Sequence, residues 1–343
     1  MEILPKAMGT RPRLAVEVRT EGVVAARAED ATALLSAVSQ SALAEGALVA
    51  GLRPGNVVDR PRVVAAVREA LNHVAGSGRD VTIVIPDGAV RLLLLDFDDL
   101  PGKAADALPV IRFRLKKLLP FDADTAAVSY QVMSSERGMV RVLAVAMPRE
   151  VLEEYEGVVT AAGYVPGAVL PSTLAALAAL DEQEASALVV NGGRSSLTTA
   201  IVRGGVLLLH RSLEMAVVEA PATDPHKGAV LQERLRGYDR IEAKGAIETQ
   251  VFESVEAAIE AREIAQAVSV AAAYFEDTLA APPEKVISAG PLGADGLAAV
   301  LGEYGFEGLK TQELVAADAL GPGAATTRVP RSWLAGVRGA LRN

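Results

Sequence analysis

The run ALVVNGGRSSLTTAIVRGGVLLLHRS, residues 187–212, holds the residues best placed to do chemistry. Asn191-Gly192-Gly193 sits between two β-prone runs, Leu188–Val190 and Leu197–Val202, and a third, Val206–Leu209, follows Gly204-Gly205. A glycine-tipped hairpin lets backbone amides approach a phosphate, because no Cβ obstructs them and positive φ costs little. Turns that also hold the accompanying metal use an aspartate. Here an asparagine stands instead, which can hydrogen-bond a water but brings no formal charge to Mg²⁺.

Other candidates are weaker. Asp96-Phe97-Asp98-Asp99 can chelate a cation or simply solvate a loop after a strand. The basic face around Arg112, Arg114, Lys116 and Lys117 suits an acidic partner, lipid headgroups, or plain water. His73, His210 and His226 lie far apart, which fits surface or capping residues better than ligands. The absence of cysteine excludes disulfides, thiolate catalysis and cysteine-ligated metals. No Ser-His-Asp, His-Glu-x-x-His or P-loop pattern supports a hydrolase or a Walker-type ATPase.

The elements that must position these residues alternate between strand and helix, which argues α/β architecture. Strands are expected at Leu14–Val18, Val23–Ala28, Val81–Ile85 and Val90–Asp96, with a helix from about Pro61 to Ala75 after Asp59. Leu108, Ile111, Leu115, Leu118 and Leu119 form one helical face ended by Pro120, and strands Ala126–Met133 and Val140–Met147 flank a hairpin. A helix over Arg149–Ala162 closes this helix–hairpin–helix unit. Farther on come a signal-poor region from Pro221 to Ala246, a long helix from Glu253 to Leu279, the strand KVISAG, and a helix near Leu297. The C-terminal VPRSWLAGVRGALRN reads as a short basic amphipathic helix.

The chain also repeats itself. Aligning LAVEVRTEGVVAARA with LVVNGGRSSLTTAIV places Glu17 on Asn191, an offset of 174 (191 − 17), with the same apolar spacing on both sides. A half-chain offset in a chain of 343 residues points to an internally duplicated fold. The uncharged run Val158–Leu180 is long enough to span a bilayer, but Gly163, Pro166, Gly167 and Pro171 cut it into helix end, strand and new helix. The N-terminal apolar run is too short for a signal peptide. With a net charge of −9 and 4% aromatic residues, the chain lacks the basic patches and stacking platforms of nucleic-acid binders. The expectation is a cytosolic protein.

This order of parts resembles the actin-like superfamily and, within it, the PilM family of type IV pilus assembly proteins, relatives of the cell-division protein FtsA. The resemblance rests on IRFRLKKLLPFDADTAAVSYQVM and on VLAVAMPREVLEEYEGVVTAAGYVPGAVLPSTLAALAAL, which occur together and in order. It covers roughly Arg13 to Ala317 and is strongest from Val81 to Arg211. It implies a duplicated actin-like, ribonuclease H-like α/β fold. The first lobe would run over 11–182 with an FtsA/PilM-type insert at about 100–162. The second would run over 183–343 with a smaller subdomain at about 213–284.

Actin-like proteins face two Asp-x-Gly turns across a cleft that holds Mg-ATP. The resemblance puts Glu17, Arg19, Thr20, Asn191, Gly192, Gly193, Gly290 and Gly293 at that site. Glu17 keeps the charge but moves it outward, Arg19 adds a side chain where the family has none, and Pro291 removes an amide donor from the adenosine-side turn. At about 1.5–3 kcal/mol per charged hydrogen bond, ATP and Mg²⁺ should bind weakly or not at all. The implied role is a cytoplasmic adaptor at the inner face of the membrane, with no catalytic residue. Its partners would be the N-terminal tail of an inner-membrane PilN-like protein and the pilus motor ATPases. The alternative is an ATP-binding switch whose nucleotide state controls partner binding. A partner groove would involve Leu118, Leu119, Phe121, Val128, Tyr130 and Val132. Alternatively, Leu119 and Phe121 only pack the insert's own core.

Overall fold

A computed structural model describes residues 12–136, 138–180, 186–215, 242–306 and 308–342, with side chains of the long helix from 260 onward. The chain opens with β1 (Leu14–Val18), β2 (Gly22–Ala28), β3 (Leu35–Ala42), α1 (Arg60–Val74) and β4 (Asp80–Ile85). Next come β5 (Arg91–Phe97), α2 (Ala104–Leu115), β6 (Ala127–Glu136) and β7 (Met139–Met147). Then α3 (Arg149–Ala162), β8 (Val165–Pro171) and α4 (Ser172–Ala178) follow.

The second half repeats the first: β9 (Ser186–Gly192), β10 (Ser196–Arg203), β11 (Val206–Glu214), α5 (Glu242–Leu279), β12 (Lys285–Ala289), α6 (Gly293–Glu303) and β13 (Lys310–Glu313). Short helices α7 (Pro322–Ala325) and α8 (Ala335–Leu341) end the chain. One sheet has the order β3-β2-β1-β4-β8 and the other β11-β10-β9-β12-β13. The duplication extends to register. Glu17 pairs with Val24 and Val84, and Asn191 pairs with Thr198 and Ala289 on the equivalent strands.

Apolar spacing explains the layers. In α1, Val63, Val67, Ala70, Leu71 and Val74 share one face and bury it with Val16, Ile83 and α3's Tyr155. Each such Val or Leu contributes about 1.5–3 kcal/mol over leaving it in water. Asp59 caps α1 by accepting from the Arg62 amide (3.2 Å), with Pro61 in the first turn. In the second half, Ile264, Val268 and Phe275 of α5 pack on Leu188, Val190 and Leu197. The inner faces of the two sheets meet α4 and α8 in a shared core.

Several expectations need correcting. β3 was not foreseen: LSAVSQSA is polar and half-exposed, and tertiary pairing with β2 makes it a strand. The three-stranded sheet β5-β7-β6 takes in β5, which was placed outside the inserted unit, and α3 packs with α1 rather than on that sheet. Helix α2 stops at Leu115, because a residue preceding proline avoids helical geometry and the chain must turn before Leu119-Pro120. Leu118 therefore swings into solvent, 49% exposed. The C-terminal segment is helical over Ala335–Leu341 but not amphipathic, since Leu334, Ala335, Val337, Ala340 and Leu341 are all buried. Most of Pro221–Ala246, and with it much of the smaller subdomain, lies outside the described residues.

Candidate functional site

Two hairpin turns face each other between the sheets, and their backbones match. The Arg19 amide donates to the Gly22 carbonyl (2.9 Å), and the Gly193 amide donates to the Ser196 carbonyl (3.0 Å), 174 positions apart at each end (193 − 19, 196 − 22). What they carry differs. Glu17 points into the cleft at 0% exposure, and Arg19, 7% exposed, pairs with it at 2.7 Å. The Arg19 Nη2 also donates across the cleft to Asn191 Oδ1 (3.0 Å) and to Ser172 Oγ (2.8 Å).

Ser172, at the start of α4, is saturated by this arrangement. Its hydroxyl donates to Glu17 Oε1 (2.6 Å) and accepts from Arg19 and from Asn191 Nδ2 (2.9 Å), the full capacity of a serine. Asn191 Nδ2 also donates to Thr173 Oγ1 (2.9 Å). Thr173 gives its amide proton to Asp87 Oδ1 (3.0 Å) and its hydroxyl proton to Asp87 Oδ2. Thr198 Oγ1 donates to the same Asp87 Oδ2 (2.9 Å) from the second sheet and lies 3.1 Å from Ser212 Oγ. A continuous buried chain of polar groups therefore joins the two lobes.

Burial pushes the Glu17 carboxyl above the usual carboxylate range, opposed by the Arg19 guanidinium and the Ser172 hydroxyl. Its second oxygen, Oε2, has no hydrogen-bond partner among the described residues and abuts Gly336 of α8. The turn after β12 completes the closure. Gly290, at φ +92°, lies so close that a Cβ would stand 2.5 Å from Asn191 Oδ1, so only glycine fits. Its amide donates to Ser332 (2.9 Å), and the Leu292 amide donates to Gly192 (3.1 Å). Gly293, at φ +69°, opens α6.

At the mouth, Thr20 Oγ1 lies 2.8 Å from Ser195 Oγ, and Glu21 accepts from the Arg194 amide. Between the turns lies a cavity of about 20 Å³ whose lining includes Arg19, Asp87, Ser172, Asn191 and Ser195. That is about the space of one water.

The structure thus gathers Glu17, Arg19, Thr20, Asn191, Gly192, Gly193, Gly290 and Gly293 at one cleft. It adds Asp87, Ser172, Thr173 and Thr198, which sequence reasoning missed. A Pro-Asp-Gly turn directly after β4 was the available signal for Asp87. Leu118, Leu119, Phe121, Val128, Tyr130 and Val132 lie elsewhere, on the inserted unit. Leu119, Phe121, Val128 and Tyr130 pack half-buried against Ile111 and Leu115, whereas Leu118 and Val132 are exposed. Asp96 is engaged by Arg141, which donates twice (2.9 and 3.2 Å) and holds its carboxyl below the usual range. Among the described residues, no acidic or histidine cluster is placed to hold a metal, and no helix is long and apolar enough to cross a membrane. His73 Nδ1 lies 2.7 Å from its own helix's Glu69 carbonyl, and His226 falls outside the described residues.

No family model and no curated protein matches the chain by sequence. Solved structures do match. A chain of a PilM-PilN type IV pilus biogenesis complex aligns over 96% of this chain and 97% of its own, at 18% identity and a TM-score of 0.69. The ethanolamine utilization protein EutJ from Carboxydothermus hydrogenoformans aligns over 99% and 91%, at 13% identity and a TM-score of 0.49. The cytoplasmic domain of EpsL, an inner-membrane component of the type II secretion system of Vibrio cholerae, covers 59% and 71%, at 15% identity and a TM-score of 0.39. The alignment along nearly the whole chain, with two repeated five-stranded sheets, shows the duplicated actin-like fold.

Proposed function

We propose that this chain is a cytoplasmic adaptor of type IV pilus assembly that binds the N-terminal tail of an inner-membrane PilN-like protein, with its nucleotide site degenerate. The observation that carries the reading is the Arg19 guanidinium bridging the two phosphate turns. The residues of the cleft do not fit Mg-ATP. The Arg19 guanidinium occupies the gap between the turns, it is paired with the buried Glu17 carboxylate, and the cavity lined by both turns is about 20 Å³. The actin-like frame then serves as a rigid scaffold with no hydrolytic step, and its cleft is closed by its own side chains.

Likeness along the whole chain to a protein seen in complex with PilN supports the partner. The inserted sheet supplies a docking edge, since β6 is its outer strand in the order β5-β7-β6. An extended peptide adds to such an edge through main-chain hydrogen bonds, with specificity from adjoining side chains. Val132 on β6 is exposed to meet such a peptide, with Tyr130 two residues before it on the same strand half-buried in the unit's core. The scaffold would place the pilus motor ATPases near the membrane through this tether.

The experiment is a titration with a synthetic cytoplasmic tail of the PilN-like protein. Binding should occur without nucleotide and be unaffected by Mg-ATP, and Val132→Arg should weaken it by about tenfold with an unchanged melting temperature. No binding by the wild-type chain would refute the adaptor. Binding that requires Mg-ATP would restore the nucleotide switch.

A further inference from the structure

Helix α2 carries apolar residues on both faces, and only one of them has a use within the fold. Ala107, Ile111 and Leu115 pack inward on the three-stranded sheet. The outward stripe of Val110, Phe113 and Arg114 at helical spacing continues into Lys117 and Leu118 of the turn that follows the helix. Phe113, at 68%, is the most exposed large hydrophobic side chain among the described residues, flanked by Val110 at 38% and Leu118 at 49%.

The four basic residues nearby divide in the same way. Arg112 is spent on the Ala123 and Ala126 carbonyls, and Lys116 pairs with Asp124 at 2.6 Å. Arg114 and Lys117 enter no ion pair among the described residues, and Lys117 Nζ hangs 5.9 Å from the Phe113 ring. Solvation alone does not account for a phenylalanine held at the crest of a helix between two free cations.

From this arrangement, we infer that the outer face of α2 is a contact surface for an anionic lipid bilayer. These side chains stand exposed, so the face suits a surface into which side chains can sink. Phe113, Val110 and Leu118 would enter the headgroup boundary while Arg114 and Lys117 meet lipid phosphates, the division of labour of interfacial helices. The chain's net charge of −9 does not prevent this, because charges beyond a Debye length of about 8 Å are screened at physiological salt. So small a patch binds weakly alone and acts as a second attachment beside the protein tether. The inference is independent of the cleft and of the identity of the tether.

The test is co-sedimentation of the full chain with vesicles at physiological ionic strength, in the absence of any partner. Equimolar phosphatidylcholine–phosphatidylglycerol vesicles should carry down a salt-sensitive fraction, and pure phosphatidylcholine vesicles should not. Each cation near such a surface multiplies partitioning about fivefold. Arg114→Glu with Lys117→Glu should therefore reduce it by more than about tenfold, at an unchanged melting temperature. Phe113→Ser alone should reduce it with the charges intact. Equal partitioning onto both vesicle types, or onto anionic vesicles by wild type and charge-reversal variant alike, would overturn the inference and leave the face to a protein partner.

Discussion

The turn of the first lobe and the turn of the second share a backbone and differ in what they present to the cleft. Both close with the same amide-to-carbonyl bond, and both belong to strands paired in identical register. At equivalent positions one turn carries Arg19 and the other Gly193. Arg19 reaches across to the second lobe, whereas Gly193 lies against the Glu21 carboxylate, which a side chain there would have to displace. The lesson is that a duplicated frame can be kept while its chemistry is reassigned. One turn has become the donor of a strut and the other its receiver.

The most disruptive way to break the comparison is to remove the strut. Arg19→Ala leaves Glu17 buried without its cation, and deleting one partner of a buried pair costs about 3–5 kcal/mol. Denaturant unfolding should show that loss. Arg19→Met combined with Glu17→Leu should cost clearly less than Arg19→Ala, because no charge is then left unpaired. Additive losses would mean that the pair is not a unit.

Next in size are the glycines that let the chain close around each turn. A methyl at Gly339 would collide with the Ala175 carbonyl of α4, and one at Gly290 with Asn191 and the Gly192 carbonyl. Gly339→Ala and Gly290→Ala should each lower stability by about 1–3 kcal/mol, as overpacking does. Loss at Gly339 but none at Gly290 would show that the α4–α8 contact is tight while the turn at Gly290 has room to yield.

A third change sharpens the comparison by reversing it. Glu17→Asp, Arg19→Gly and Asn191→Asp together empty the cleft and supply two carboxylates to a metal. This variant should gain a Mg-ATP-dependent rise in melting temperature that the parent lacks. The smallest effect belongs to the inserted sheet. Asp96→Asn removes an exposed pair with Arg141 and should cost under about 1 kcal/mol at neutral pH. The depressed folded value of Asp96 means that its contribution exists above the ordinary carboxylate range. It should fade as pH falls through that depressed value, so wild type and variant converge in acid.

Much of the frame was legible because apolar periodicity and turn chemistry are local. The repeat linking Glu17 to Asn191, the ends of α3 and the β6–β7 hairpin follow from patterns within a few residues. What was hidden depends on residues far apart in sequence. Asp87, Thr173 and Thr198 matter only because three chain segments converge on one carboxylate. The C-terminal helix reads as basic and amphipathic, yet Arg342 serves the Ala178 and Leu180 carbonyls at and just beyond the end of α4 (3.5 and 2.5 Å), while its glycines fit against Glu17 and Ala175. Small residues that permit close approach carry no periodic signal of their own. The placement of Arg19 was equally opaque, since sequence shows an intruding side chain but not that it bridges two lobes.

The central claim is that the cleft is held by Arg19 rather than by a nucleotide. Thermal unfolding of the unmodified chain with and without millimolar Mg-ATP tests it most directly. A ligand present at one hundred times its dissociation constant, and binding only the folded state, adds about 2.7 kcal/mol to stability. The account predicts coincident unfolding curves. A melting temperature that rises by several degrees and saturates with Mg-ATP would contradict it.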